Sequence, residues 1–357
     1  ERGSRLDLRN GEEMTVRKAG QSGAVDLSRL LELIASFPRQ TITVIGDFVV
    51  DEYVTGEISR VSREAPVLIL RHQKMEVVPG GGANAANNLV ALGARVLPVG
   101  AVGDDAAGNA LIDYFRGKNV NVSGMIRARG TNTTTKTRFL ARWSHTARQQ
   151  VLRVDREASG PLSESVTKQI GRKARTFIAR SDGVLVSDYG TGSVTPDSLK
   201  GMKAKVATLD SRYRLLDYRG GGFTAATPNE PELEALYHAQ IGDDEKQLEM
   251  LGQRTLRALG LRALLVTRGK EGMVLFERAK PPHRIAVYGA DDAVDVTGAG
   301  DTVIAVFTLA LAAGASFVEA AHLANYGGGI VVMKRGTATV SRAELEAVVR
   351  GEASTSA

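Results

Sequence analysis

Cysteine is missing altogether from the 357 residues, which excludes disulfides and thiolate chemistry and removes any argument for secretion. Aromatics make up only 5%, with one tryptophan, and no helix-turn-helix, zinc-ligand pattern or aromatic-and-basic surface motif is legible. The net charge of +6 is therefore explained with fewer assumptions by small phosphorylated ligands than by nucleic acid. No apolar run is long enough to span a bilayer, since the longest, Val303 to Ala313, ends at Gly314. The N-terminus has no apolar signal core, so membrane insertion is not expected and the cytoplasm is the expected compartment. Prolines number 10 against 39 glycines, a balance that points to many tight turns, and at 43% hydrophobic the chain can bury a large core. Three phosphate-binding fingerprints are absent as well. There is no G-x-x-x-x-G-K-[ST], neither GGGANA nor GAGDTV completes G-x-G-x-x-G, and the protein-kinase signatures are missing.

What is present is a different glycine loop. DVTGAGDTVIAVFTLALAAG, residues 295 to 314, joins a polar loop to a long apolar helix, so backbone N–H groups at Gly298, Ala299 and Gly300 can converge on an anion. Asp301 follows at once. A carboxylate at the mouth of an anion cradle binds anions poorly but can take a proton from a group about to attack one, which reads as phosphoryl transfer. The same residue types also suit a tight turn and a helix N-cap.

The rest of the chain reads as α/β. Residues 1 to 24 are polar and unpatterned, a flexible leader in which Met14 is a candidate start; a single domain is expected over 25 to 350, with 351 to 357 as a tail. Asp26 precedes Leu27, Leu30, Leu31 and Ile34, a cap followed by helical spacing. TITVIGD, residues 41 to 47, reads as a buried first strand with a polar end, where ligands sit in open α/β sheets. Blocks at about 53–78 and 133–155 are strand-like and form a small separate sheet. PGGGANAANNLVALGA, at 79 to 94, is a glycine turn and a helix closed by Gly93. After residue 160, GVLVSDYG, VATLD, ALLVTRG and MVLF alternate with helical segments, which predicts a doubly wound, mostly parallel sheet. Ser341 and Glu344 have capping-box spacing.

DVTGAGD at 295 to 301 resembles the C-terminal signature of the ribokinase-like (PfkB) carbohydrate kinases, and PGGGANAANNLVALGA resembles their N-terminal glycine signature. GDFVVDEY at 46 to 53, TPNEPE at 227 to 232 and TRGKEG at 267 to 272 match further family blocks in the same order, and the resemblance covers residues 40 to 345. Within that family, GEISRVSREAPV at 56 to 67, LVSDYGTG at 185 to 192 and GTATVS at 336 to 341 look most like the kinases of D-glycero-β-D-manno-heptose 7-phosphate. Such kinases make the 1,7-bisphosphate on the route to ADP-heptose and the inner core of lipopolysaccharide, and many carry an adenylyltransferase domain. With no H-x-G-H among its five histidines, this chain is expected to be the stand-alone form. The alternatives are a ribokinase-like kinase for another sugar phosphate or a nucleoside, and a catalytically silent sugar-phosphate sensor.

The resemblance implies roles residue by residue. Asp301 is the expected general base, with Gly298, Ala299 and Gly300 as amide donors. Asp51, Gly80, Gly81, Gly82 and Asn84 are expected on the sugar side, whereas Asp47 reads better as a turn-stabilising residue. The 7-phosphate requires fixed positive charge, for which Arg60, Arg63, Lys136, Arg138 and Arg142 are candidates; the last three share a strand face by even spacing. A solvated, charge-protected edge strand is the alternative. For Mg·ATP the candidates are Asn229, Glu232, Asp188, Thr267, Arg268, Gly269 and Arg212, with Asp210 a weaker assignment and Glu232 reaching Mg²⁺ through water. Asn229 also reads as a helix cap. Asp295 fits the family's K⁺ position, and also a structural role. Three positions depart from the pattern: Arg63 stands where proline is common, and Thr191 and Arg212 where lysine is expected. A homodimer formed through the small sheet is the expected assembly.

Overall fold

A computed structural model describes residues 25–142, 149–158, 160–289 and 293–351; the leader, the end of the 133–155 block's first strand at 143–144 and all of the tail except Gly351 lie outside them. The Asp26 carboxylate accepts the Ser28 N–H at 2.9 Å and caps helix α1 (Leu27–Ser36). The β-branched run TITVIG follows as the buried strand β1 (Thr41–Gly46). Next come β2 (Phe48–Val61), β3 (Leu68–Gly81), α2 (Gly82–Ala91), β4 (Arg95–Gly103), α3 (Ala106–Gly117), β5 (Met125–Ala128), β6 (Thr135–Arg142) and β7 (Gln149–Arg156). The second half holds α4 (Glu164–Ile178), β8 (Gly183–Asp188), β9 (Ala207–Ser211), β10 (Ala225–Ala226), α5 (Glu230–Tyr237), α6 (Glu245–Leu259), β11 (Ala263–Thr267), β12 (Met273–Glu277) and β13 (His283–Ile285). Helices α7 (Ala299–Ala312), α8 (Phe317–Val332) and α9 (Arg342–Arg350) end it, the last two opened by capping boxes at Ser316 and Ser341.

The larger sheet has nine strands in the order β13-β12-β11-β10-β9-β8-β1-β4-β5. It is parallel from β5 to β11, with β12 and β13 antiparallel at one edge. Both faces are covered, which is why its strands read as unbroken apolar runs rather than alternations. One core packs α1–α3 and α7–α9 on one face through Leu30, Leu89, Phe115, Phe307 and Leu345; the other packs α4–α6 through Ile170, Phe177, Leu233 and Leu251. Helix α7 is buried continuously from Asp301 to Leu311, so a helix apolar all round lies against the sheet and carries Asp301 at its first turn.

Strand β1 lies between β8 and β4, and the chain order reverses there. That reversal opens a crevice at the carboxyl ends of β1, β8 and β9, the position at which open α/β sheets receive ligands. Asp47, fully buried at the end of β1, accepts the N–H groups of Tyr189 (2.9 Å), Thr191 (2.9 Å) and Ser193 (2.8 Å). It thereby pins the loop after β8 beneath the crevice, and Thr191 is turned to that task rather than to the cleft.

The smaller sheet has the order β3-β2-β6-β7, with β2 and β6 parallel and the other pairs antiparallel. Its strands start nearer the main sheet than the alternation at 53–78 indicates. Only Asp47 separates β1 from β2, and β3 runs directly into α2. The small sheet is thus a direct extension of the crevice wall. Strand β7 is exposed along its whole length.

Candidate active site

Gly298 caps α7 with φ of 78°, in the left-handed region. A Cβ there would lie 2.5 Å from the Asn84 amide nitrogen, so the position needs glycine for conformation and for space. The Ala299 N–H closes this turn on Val296 O at 3.2 Å, which removes Ala299 from the open donors. Among the described residues the N–H groups of Gly298, Gly300 and Asp301 have no backbone acceptor, and Gly298 and Gly300 line the cleft.

Asp301 does not cap the helix. Its Oδ2 accepts the Asn84 Nδ2–H at 3.0 Å and its Oδ1 accepts the Tyr189 hydroxyl at 2.8 Å. Burial pushes its pKa up to about 7, opposed by those two hydrogen bonds and by Lys136, and reinforced by Asp51. A carboxylate balanced there is ionised enough to accept a proton near neutrality yet basic enough to hold one.

The cleft around Asp301 has a volume of about 580 Å³. On its small-sheet side stand Asp51, Gly81, Lys136, Arg138 and Thr337, with Arg153 from β7. Asp51 is already engaged: Oδ1 pairs with Arg138 at 2.6 Å and Oδ2 accepts the Thr337 hydroxyl at 2.9 Å. Arg138 therefore orients Asp51, and its guanidinium also lies 5.4 Å from the Tyr53 ring centre. Among the described residues Lys136 makes no ion pair. Arg153 shares its charge with Asp155 at 2.9 Å.

Several expected sugar-side residues stand elsewhere. A Cβ on Gly80 would lie 2.8 Å from Asp51 Oδ2, so Gly80 makes room for that carboxylate; Gly82 packs against Gly46 and Asp47 at the start of α2. Asn84 is buried beside Asp301 and donates to it, rather than lining the cleft. Arg60, Arg63 and Arg142 are exposed and outside the lining. Strands rise about 3.3 Å per residue, so even spacing keeps Arg142 on the face of Lys136 while carrying it about 20 Å away.

At the other end stand Asp188, Asp210, Arg212, Thr227, Asn229, Glu232 and Thr267. Asp188 is spent on Arg214 (2.6 Å), the Tyr218 hydroxyl (2.8 Å), the Ser211 hydroxyl (3.1 Å) and Gly190 N–H (2.9 Å), and so holds the strand ends together. Asp210 and Glu232 are both pushed up by burial, Asp210 further by Glu232 itself. Asn229 and Glu232 form a capping box, Asn229 Oδ1 accepting Glu232 N–H at 2.8 Å and Glu232 Oε2 accepting Asn229 N–H at 2.9 Å. The Thr227 hydroxyl is buried with no partner among the described residues. Arg268 turns away from the cleft to pair with Glu230 and Glu245, tying α5 to α6.

Gly269 lines a second recess of about 210 Å³ with Val287, Tyr288, Val303 and Gly329, mostly apolar, which meets the main cleft at Thr267, Val296 and Gly300. Asp295 holds Thr297 N–H on Oδ1 and Gly336 N–H on Oδ2, both at 2.9 Å.

The sequence profile described as pfkB family carbohydrate kinase matches residues 39–188 and 200–344. The chain belongs to the pfkB family of carbohydrate kinases. Its activity class is that of an ATP-dependent sugar kinase, and its fold is ribokinase-like. Phosphofructokinase-2 from Escherichia coli, in complex with potassium, superposes with a TM-score of 0.72 at 18% identity, covering 88% of this chain and 99% of that one. Arabidopsis thaliana ribokinase, complexed with ribose and ATP, gives 0.65 at 19%, covering 87% and 99%. At such identities these two show the fold. Sequence relatives are nearer: the bifunctional protein HldE of Desulfatibacillum aliphaticivorans is 39% identical over 325 residues, 89% of this chain and 65% of that protein. HldE of Geobacter metallireducens is 42% identical over 308 residues, 85% and 61%. The kinase thus spans less than two thirds of the length of these relatives.

Tyr189, Thr337, Tyr53, Thr227 and Arg153 are among the cleft's residues and supports that are not evident from sequence. Tyr189 and Thr337 sit inside the blocks LVSDYGTG and GTATVS, where a polar residue after a strand end or glycine is the available signal. Nothing in the local pattern marks Arg153, which reaches the cleft by pairing opposite Arg138 across β6 and β7.

Proposed function

We infer that this kinase transfers the γ-phosphoryl group of ATP to the anomeric hydroxyl of D-glycero-β-D-manno-heptose 7-phosphate, giving the 1,7-bisphosphate. The observation that carries the reading is a buried carboxylate, raised to about 7, at the centre of a cleft with cationic side chains at both ends. Lys136 and Arg153 face the small-sheet end and suit the 7-phosphate; Arg212 faces the other end and suits the nucleotide phosphates. The kinship with HldE proteins over the kinase region, together with the blocks at 56–67 and 336–341, favours a heptose 7-phosphate over other sugars.

The geometry supports a role for each residue. Asp301 accepts the proton of the attacking hydroxyl, held in orientation by Asn84 and Tyr189. The Gly300 and Asp301 N–H groups, with the positive end of the α7 dipole, face the charge on the transferring group. Asp51, fixed by Arg138 and Thr337, retains lone pairs for sugar hydroxyls. The apolar recess beside Gly269 suits adenine, edged by Asn325. Asp210, Glu232, Asn229 and the Thr227 hydroxyl, unpartnered among the described residues, are hard oxygen donors that fit Mg²⁺ and its waters; the ion would neutralise phosphate charge. Asp295 keeps lone pairs beyond its two N–H contacts and fits a K⁺ beside the cradle. The small sheet serves as a lid that excludes water, so that ATP is not hydrolysed.

A panel of heptose 7-phosphates, hexose phosphates and nucleosides, each with ATP and Mg²⁺, tests this. The heptose 7-phosphate is expected to give the highest kcat/KM, by about a hundredfold or more over unphosphorylated acceptors, because a site with fixed charge rejects ligands that leave it unpaired. A preferred nucleoside would overturn the substrate assignment, and absence of ATP turnover with every acceptor would leave a sensor.

A further inference from the structure

The loop after β8 contributes a side chain that no block of the sequence assigns a task. Tyr189 reaches Asp301 from the side opposite Asn84, so each carboxylate oxygen holds one donor: Tyr189 OH on Oδ1 and Asn84 Nδ2 on Oδ2. The Tyr189 ring is seated rather than loose. A Cβ on Gly81, which itself has φ of 54°, would lie 3.2 Å from the ring edge, and the Tyr189 backbone N–H is fixed by Asp47 at 2.9 Å. Asn84 is held in turn by Asn88, whose Nδ2 donates to Asn84 O (3.1 Å) and Oδ1 (3.2 Å).

We propose that Tyr189 is a positioning residue that sets the proton affinity of Asp301: its hydroxyl stabilises the ionised carboxylate and keeps the base available at neutral pH. This role presupposes Asp301 as the base. A phenol that donates to a carboxylate favours the charged form, and loss of that donor raises the carboxyl's proton affinity. Tyr189 itself stays protonated, because burial and the neighbouring Asp301 push its own pKa well above the usual phenol range. It is therefore a permanent donor and never a competing base. The other charges facing Asp301 are Asp51 and Lys136 from the lid and Asp210 from β9, with Glu232 beyond it on α5. Asp51 and Lys136 act in opposite directions. Burial pushes Asp210 and Glu232 toward their neutral forms, and Tyr189 and Asn84 are the neutral donors that counter burial at Asp301 itself. Among the tyrosines, Tyr189 alone makes that contact among the described residues.

The test is Tyr189→Phe, which keeps the ring and deletes the hydroxyl. The Asp301 carboxyl is titrated by ¹³C NMR in the substrate-free enzyme, its signal assigned by loss in Asp301→Asn, and the pH dependence of kcat/KM is measured alongside. The titration midpoint is expected to rise by about one to two units, the range set by one hydrogen bond to a charged group. The acid limb of kcat/KM is expected to move up with it, with activity approaching wild type at high pH. An unmoved midpoint, or a uniform loss of kcat/KM at every pH, would overturn the proposal. Turnover retained by Asp301→Asn would instead remove Asp301 as the base, and the NMR midpoint would still report whether Tyr189 holds that carboxyl.

Discussion

Asp301 is balanced by three neighbours that oppose its environment. Burial favours the neutral acid, while Asn84, Tyr189 and Lys136 favour the ion, and the balance rests at about 7. Two consequences follow from the sign. Below that pH the carboxyl is protonated and cannot accept, so kcat/KM is expected to fall about tenfold per pH unit on the acid side, read from a pH–rate profile. Because the folded pKa lies above the ordinary aspartate value of 3.8, the folded state binds the extra proton between those values. This group's contribution to stability is then lost as pH rises from about 4 to 7, measurable as a falling urea midpoint in the ligand-free enzyme. Asp301→Asn is expected to lower kcat by about 10²–10⁴-fold while ATP affinity by calorimetry stays within a few fold. Retained turnover would show that another group takes the proton. Gly298 is a separate sensitivity. With φ of 78° and the Asn84 amide only 2.5 Å from where a Cβ would stand, Gly298→Ala is expected to cost about 1–2 kcal/mol in backbone strain and to displace Asn84 from Asp301. Denaturant unfolding reads the first effect and the acid limb of the rate profile reads the second.

At the scale of elements, the chain separates into features that local pattern carries and features that it does not. The strands GVLVSD, ATLDS, ALLVT and MVLFE are short apolar runs bounded by polar turns, so their positions and the doubly wound sheet are readable from sequence. Asp301 and its glycines are readable because one helix start contains them all. The task of Arg138 is not, since its charge is spent on Asp51 in another strand, and neither is that of Arg268, since Glu230 and Glu245 draw it from the cleft. Spacing reports the face of a strand but not where along the cleft a side chain falls, hence the misplaced Arg142. Asp47 shows the same limit from the other direction. It reads as a turn residue and is one, yet it organises a loop more than a hundred residues away by accepting three N–H groups. Asp47→Ala strands those donors in a buried site, at about 1–3 kcal/mol each. A total loss of about 3 kcal/mol or more is expected by denaturant unfolding, with kcat falling as Tyr189 loses its anchor. A change under about 1 kcal/mol would mean water replaces the carboxylate.

Among the described residues, the small sheet leaves a broad face turned away from the cleft. Side chains alternate across the lid, and the strand registers put Asp51, Tyr53, Lys136, Arg138 and Arg153 on the cleft face. The opposite face is set by the residues between them. Met75, Val54, Phe139 and Leu152 form one row across all four strands, and Val77, Glu52, Thr137 and Val154 form the next. Met75, Leu152 and Val154 are exposed at 51%, 55% and 47%. Exposed apolar side chains on one sheet face suit an interaction site, and we propose that a second copy of this chain covers Met75, Leu152 and Val154. Pairing of two lids across this face would stiffen β6 and β7, the strands that carry Lys136 and Arg153 into the site. The double substitution Leu152→Asp and Val154→Asp is therefore expected to convert dimer to monomer in sedimentation velocity. It should raise KM for the sugar phosphate by about tenfold or more, while KM for ATP, whose proposed site is on the main sheet, changes little. A wild-type enzyme that sediments as a monomer at every concentration would remove the lid as an assembly surface. Monomerisation with an unchanged sugar KM would confine the pairing to stability and leave each site complete within one chain.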